Sequence, residues 1–312
     1  MTTPAVRSTV DDHVRLQRRT ILVLIAAVAP AGMGMAGGFA GTSLAAEEIT
    51  GNDGLATLAA TMISIGGALI ALPLARHMAR HGRRPGLRIG WAVAAAGAVA
   101  ALVAVETATY PLLVAGALGI GAGNGTNLAA RYAAADLAPE DRRARAIGLL
   151  VWAGSIGSVL GPTVALGPTG WAAERVGLER LSGPYVMGAL VFALSTVTVD
   201  RLLRPDPLLV ATAGAPTTAG PEPARPRLAD AFARLASVRI AAIAVGAMAL
   251  GQAVMVAVMT VTPLHMDDGG HETQIIGLVI SLHIVGMYLF APVVGWLVDR
   301  LPTEVMIAAA GL

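Results

Sequence analysis

Long apolar runs separated by short polar stretches make up most of this chain. Eight runs, near residues 20–46, 54–76, 88–105, 110–131, 146–167, 183–199, 239–264 and 274–298, hold almost no ionisable groups in their middles. A bilayer core of about 30 Å takes roughly 20 apolar residues as a helix, so each run predicts a membrane-spanning helix. A ninth run starts near 304, and the sequence stops at Leu312. Nine residues rise only about 14 Å as a helix, too little to cross. The predicted fold class is all-α integral membrane, with eight full spans and the start of a ninth.

The polar stretches divide the spans into sets. Six helices precede a stretch rich in Pro, Ala, Thr and Gly that carries Pro205, Pro207, Pro216, Pro221, Pro223 and Pro226. Such composition reads as a flexible linker. Its second part sets Leu228, Phe232 and Leu235 at helical spacing among Arg227, Arg234 and Arg239, the pattern of a short helix on a membrane surface. The expected organisation is a tail over 1–19, a six-helix bundle over 20–200, a linker over 201–238 and a partial second bundle over 239–312.

Composition agrees with lipid as the solvent: 55% of residues are hydrophobic and 13% charged, against about a quarter charged in soluble domains. With no cysteine, disulfides and thiolate metal sites are excluded. All 22 basic residues are Arg, and with the heavy Ala and Gly use this points to a GC-rich bacterial genome. The net charge is only +2 and the Arg residues lie in separate clusters, unlike the single basic face of a nucleic-acid-binding protein. Nucleic acid is therefore not an expected partner; the lipid bilayer and a small molecule are, and an oligomer is not required.

The Arg clusters orient the chain. Placing the N-terminus in the cytoplasm puts 20 Arg inside and only Arg175 and Arg180 outside. The positive-inside rule favours that arrangement and rejects its reverse. The expected location is the bacterial cytoplasmic membrane, multi-pass. The outer loops are acidic instead, with Glu47, Glu48 and Asp53 in one and Asp267, Asp268 and Glu272 in another.

Three short motifs then stand at corresponding places. Arg80, Gly82, Arg83 and Arg84 lie in the loop after the second helix, and Gly295, Leu297, Asp299 and Arg300 lie after the eighth. The fifth helix carries Gly157, Gly161 and Pro162, where glycines permit close packing and Pro bends the helix. An acidic, Pro and Arg stretch, with Asp136, Pro139, Arg143 and Arg145, joins the fourth and fifth helices. With these motifs on a six-plus-six plan, the chain resembles the major facilitator superfamily, from about residue 20 onward. Gly157 to Pro162 is similar to the motif of its antiporters, the drug-exporting kind included. Departures are Ala75 and Ala79 at the Gly and Asp positions of the first loop, and Pro302 where Gly is usual.

The resemblance implies two helical bundles around a cavity that opens alternately to either side. It also implies a twelve-helix protein, so this sequence is expected to be truncated at its C-terminus. The loop motifs and Gly157, Gly161 and Pro162 are implied to govern gating. A latch between Asp299 and Arg143 or Arg145 is a further expectation. The proton-coupled exporters carry an Arg early in the fourth helix, where this chain has Ala115 followed by Gly119 and Gly121.

Polar groups inside a span are costly and so mark candidate sites. Asn124, Asn127 and Arg131 in the fourth helix, Gln252 in the seventh and His283 in the eighth are the substrate-path candidates. Each has a second reading: helix-to-helix hydrogen bonding for the Asn pair, snorkelling for Arg131, simple filling for Gln252 and its neighbours Met248, Met255 and Met259, and a neutral hydrogen-bonded ring for His283. Histidine is the side chain type that changes charge near physiological pH, which makes His283 the candidate for a coupling proton; no other cofactor is expected. An enzyme is not expected. Ser281 and His283 are two residues apart, on different helix faces. The readings that follow are efflux of amphipathic or drug-like compounds by antiport, uptake of a sugar, organic acid or other metabolite, and a non-transporting sensor, scaffold or inactive product.

Overall fold

The computed structural model describes residues 4–139, 142–213, 233–234, 236–289 and 305. Among them the regular structure is helical throughout. The long helices are α1 (Pro4–Thr50), α2 (Asp53–His81), α3 (Arg83–Glu106), α4 (Tyr110–Ala135) and α5 (Arg143–Leu166). After the short α6 (Pro168–Arg175) come α7 (Gly183–Leu202) and the short α8 (Pro207–Ala213). The last two are α9 (Arg239–Asp268) and α10 (Thr273–Leu289).

The first seven apolar runs each fall on one of these helices, and α10 covers the eighth as far as Leu289. Six described helices are long and apolar enough to cross a membrane. α4 is outside that set, since Gly119, Gly121, Gly123, Asn124, Gly125 and Asn127 interrupt its apolar surface. The stretch Thr273–Tyr288 is apolar but shorter. α1 begins well before its apolar run, because the polar residues leading into it continue the helix. The predicted surface helix around Leu228 and Phe232, the second-half loop with Gly295, Asp299 and Arg300, and the ninth run lie outside the described residues apart from Val305.

Helix ends follow local chemistry. Gly51 takes a positive φ of 59° and ends α1. Asn52 then caps α2, its Oδ1 accepting the Leu55 N–H at 3.0 Å. Gly82, with φ 95°, makes the turn from α2 into α3; a side chain at that φ is strained.

The chain forms two compact units. The first holds Met1–Gly214 and Thr260–Tyr288, and the second Ala215–Met259 and Leu289–Leu312. In the first, α4 packs on α2 and α3, α3 on α7, α7 on α1, and α1 on α5, while α1 and α4 also touch. Small residues line these crossings. Gly66 and Gly121 bring α2 and α4 together, and a Cβ on Gly97 would lie 2.6 Å from the Gly119 backbone. The glycines of α1 do the same: Gly32 faces the Gly154 carbonyl, and Gly34 faces Val191 and Phe192.

The interior is accordingly rich in Ala, with Ala27, Ala59, Ala94, Ala98 and Ala133 fully buried, around Trp91, Tyr185 and Phe192. Large apolar side chains such as Leu69, Trp152 and Leu190 point outward. Small inside and large apolar outside is the arrangement for helices packed in lipid, where burying Leu gains nothing over leaving it among acyl chains.

Candidate functional site

Three places in the first unit gather the polar and glycine positions picked out by sequence. The first is the turn between α2 and α3. Arg83 donates twice to Asp136 at the end of α4, Nε to Oδ2 at 2.8 Å and Nη2 to Oδ1 at 3.0 Å. Arg84 donates its Nε to the Asp200 carbonyl at 3.0 Å and its Nη2 to Asp200 Oδ1 at 3.1 Å. Arg88 reaches the same oxygen at 3.2 Å. Two guanidinium groups thus share one oxygen of the Asp200 carboxylate. Asp206 accepts the backbone N–H of Arg84 at 2.7 Å and that of Leu208 at 3.0 Å, joining the starts of α3 and α8. A Cβ on Gly82 would press into the Asp206 carboxylate. Arg80 is exposed. So Gly82, Arg83 and Arg84 act as one rigid turn, tied to α4 and to the segment after α7.

The second place is α4. Asn124 is exposed and lies beside Gly67 of α2. Asn127 is half-buried, and its Oδ1 accepts the indole N–H of the fully buried Trp91 at 3.2 Å. Asn127 thus has the helix-to-helix hydrogen bond of its second reading, whereas the Asn124 side chain is exposed. Arg131 is half-buried one turn beyond Asn127.

The third place is the far end of α5. A Cβ on Gly157 would overlap the Ala29 carbonyl of α1, and one on Gly161 would lie 2.7 Å from the Met33 carbonyl. On another side, a Cβ on Gly277 of α10 would lie 2.7 Å from the Pro162 carbonyl. Next to it Thr163 Oγ1 and Ser281 Oγ share a hydrogen bond of 2.7 Å, and Thr163 Oγ1 also donates to the Gly277 carbonyl at 3.3 Å. The segment around Pro162 is therefore clamped between two helices through backbone and small side chains.

A helical chain with apolar outer faces, an ion-paired turn after its second long helix and a glycine-proline clamp in α5 is the context that the family's motifs need. The sequence profile of the Major Facilitator Superfamily matches residues 22–312. The chain belongs to this superfamily. Its members are transporters rather than enzymes, so this is a multi-pass membrane protein of transmembrane transport. The uncharacterized MFS-type transporter YdeG of Bacillus subtilis (strain 168) is 35% identical over 304 residues, 97% of this chain and 70% of the relative. YddS of the same organism, also an uncharacterized MFS-type transporter, is 34% identical over 298 residues, 95% of this chain and 68% of the relative. More distant is the riboflavin transporter RfnT of Brucella anthropi, 27% identical over 273 residues, 86% of this chain and 64% of the relative.

Within this transporter the other candidates are dispersed. His283 is exposed on α10, off the face formed by Ile276, Ile280 and Ile284. Gln252 belongs to the second unit and is exposed there. Among the described residues no group of three or more His, Cys, Asp or Glu is placed to hold a metal ion. The motifs do not point to Thr163, Gly277 and Ser281. The spacing of Gly277 and Ser281, two small residues four apart, is the signal that finds them. Nor do the motifs single out His77 and His81 on α2, whose rings stack at 4.4 Å.

Proposed function

We propose that this transporter exports small amphipathic or drug-like compounds by antiport, through alternating access. In this reading residues 20–200 and 239–312 belong to the two halves, joined by the 201–238 linker. The N-terminus is cytoplasmic in the bacterial plasma membrane. Asn124 faces substrate, Asn127 and Arg131 continue its path inward, and Gln252 and His283 are contributed by the second half. His283 is the residue that would carry a coupling proton. Arg80, Gly82, Arg83, Arg84, Gly157, Gly161 and Pro162 govern the conformational change, with Gly295, Asp299 and Arg300 as second-half counterparts and Asp299 latching on Arg143 or Arg145.

The carrying observation is the clamp on Pro162 and Thr163. It joins α5 to α1 and to α10 by backbone approach and one hydroxyl pair. With the N-terminus inside, the clamp falls in the outer half of the membrane. A contact of that kind seals the outer face without deep side-chain interlock, so it separates and reforms at low cost. That suits a protein that must hold a gradient while moving cargo outward. Accumulation of a fluorescent cationic dye in energised cells tests the direction. Expressing cells should hold less dye than cells without the gene, and a collapsed proton gradient should abolish the difference.

Uptake of a metabolite is the second reading, and the riboflavin transporter among the relatives is what favours it. Under that reading labelled riboflavin would enter expressing cells faster than controls, and dye content would be unchanged.

A further inference from the structure

We infer that the groove between the Val14–Ile25 stretch of α1 and the start of α5 binds an anionic phospholipid of the inner leaflet, with its phosphodiester on arginines and an acyl chain along the apolar floor. This rests on the orientation proposed above, which puts both helix starts on the cytoplasmic side. The groove has a volume of about 840 Å³ and is lined by Arg18, Arg142 and Arg145 and by Ile21, Ile25 and Leu149. Arg18 and Arg145 are exposed.

The order of these residues matters. Arg18 precedes Ile21 and Ile25 on α1, so the apolar floor extends about 10 Å deeper along the helix. On α5, Leu149 lies one turn deeper than Arg145. Charge at the headgroup level and apolar surface below it is the profile of a phospholipid, not of a soluble anion. The planar forks of Arg match phosphate oxygens in pairs.

Helix N-termini favour negative charge in their first turn, and the 24-residue α5 has no acidic residue there.

The purified, delipidated protein would be offered phosphatidylglycerol and phosphatidylcholine with matched acyl chains, and the retained lipid counted by native mass spectrometry. One phosphatidylglycerol should be retained in preference to phosphatidylcholine. Arg145→Gln and Arg18→Gln should each weaken that preference by about fivefold, the effect of one basic residue near an anionic surface. Ile25→Trp, which fills the floor, should reduce retention of both lipids. Arg175→Gln, in an outer loop, should change neither. Equal retention of the two lipids, or a preference that survives the Arg18 and Arg145 substitutions together, overturns the inference. So does retention blocked in the intact chain by one of its own segments. Val14→Cys labelled in whole cells by an impermeant maleimide would refute the orientation separately, and loss of dye export would bear only on the transport reading.

Discussion

The guanidinium of Arg83 lies side-on to the Asp136 carboxylate, with Nε to Oδ2 at 2.8 Å and Nη2 to Oδ1 at 3.0 Å. The pair joins the start of α3 to the end of α4, and both side chains are mostly withdrawn from solvent, at 19% and 12% exposure. Two parallel charge-assisted bonds fix direction as well as distance. Asp136→Asn should therefore destabilise the protein by roughly 1.5–3 kcal/mol. Arg83→Lys should cost a similar amount, because an ammonium cannot make both bonds. Melting of the single and double variants in detergent checks this. The two changes should couple by about 1 kcal/mol or more instead of adding.

Asn124 and Asn127 should separate cleanly. Asn127→Ala leaves the buried indole N–H of Trp91 without its acceptor, a loss of about 1–3 kcal/mol in stability. Asn124→Ala removes no hydrogen bond of this kind and should leave the unfolding free energy within about 0.5 kcal/mol of the parent, while lowering transport. Dye export and thermal unfolding of both variants give the comparison.

Close backbone approach makes the α5 glycines sensitive to one carbon. Gly157→Ala puts a methyl group into the Ala29 carbonyl, and overpacking of this sort costs typically about 1–3 kcal/mol. Gly148→Ala, at a position with open space, should be neutral or mildly stabilising. Transport rate and melting temperature should fall together in the first variant and in neither measure for the second.

Much of the fold is legible in the sequence because lipid imposes so simple a rule. Apolar runs of helical length become helices, and the small residues Gly66, Gly97, Gly121 and Gly157 become crossings, since only they let backbones meet. The partners of the polar groups are less legible. Ala79 stands where the family's first loop carries Asp, which suggests a weakened turn. The folded chain instead brings Asp136, Asp200 and Asp206 to that turn from 53, 116 and 122 residues away in sequence. Periodicity carries no information at such separations. The hydrogen bond between Trp91 and Asn127 is hidden for the same reason: each looks like an isolated polar group on its own helix.

In the export cycle proposed above, outward sealing depends on the clamp between α5 and α10, and a chain without cysteine permits a direct test. Thr163 and Ser281, whose hydroxyls lie 2.7 Å apart, would both be replaced by Cys. Cys Sγ atoms would take the places of these two hydroxyl oxygens, facing each other for oxidation to a disulfide. Dye export by the oxidised Thr163→Cys/Ser281→Cys protein should stop, and reduction should restore it, while each single variant exports throughout. Full export by the cross-linked protein would mean that α5 and α10 need not part during the cycle, and the alternating-access account given for this chain would be wrong.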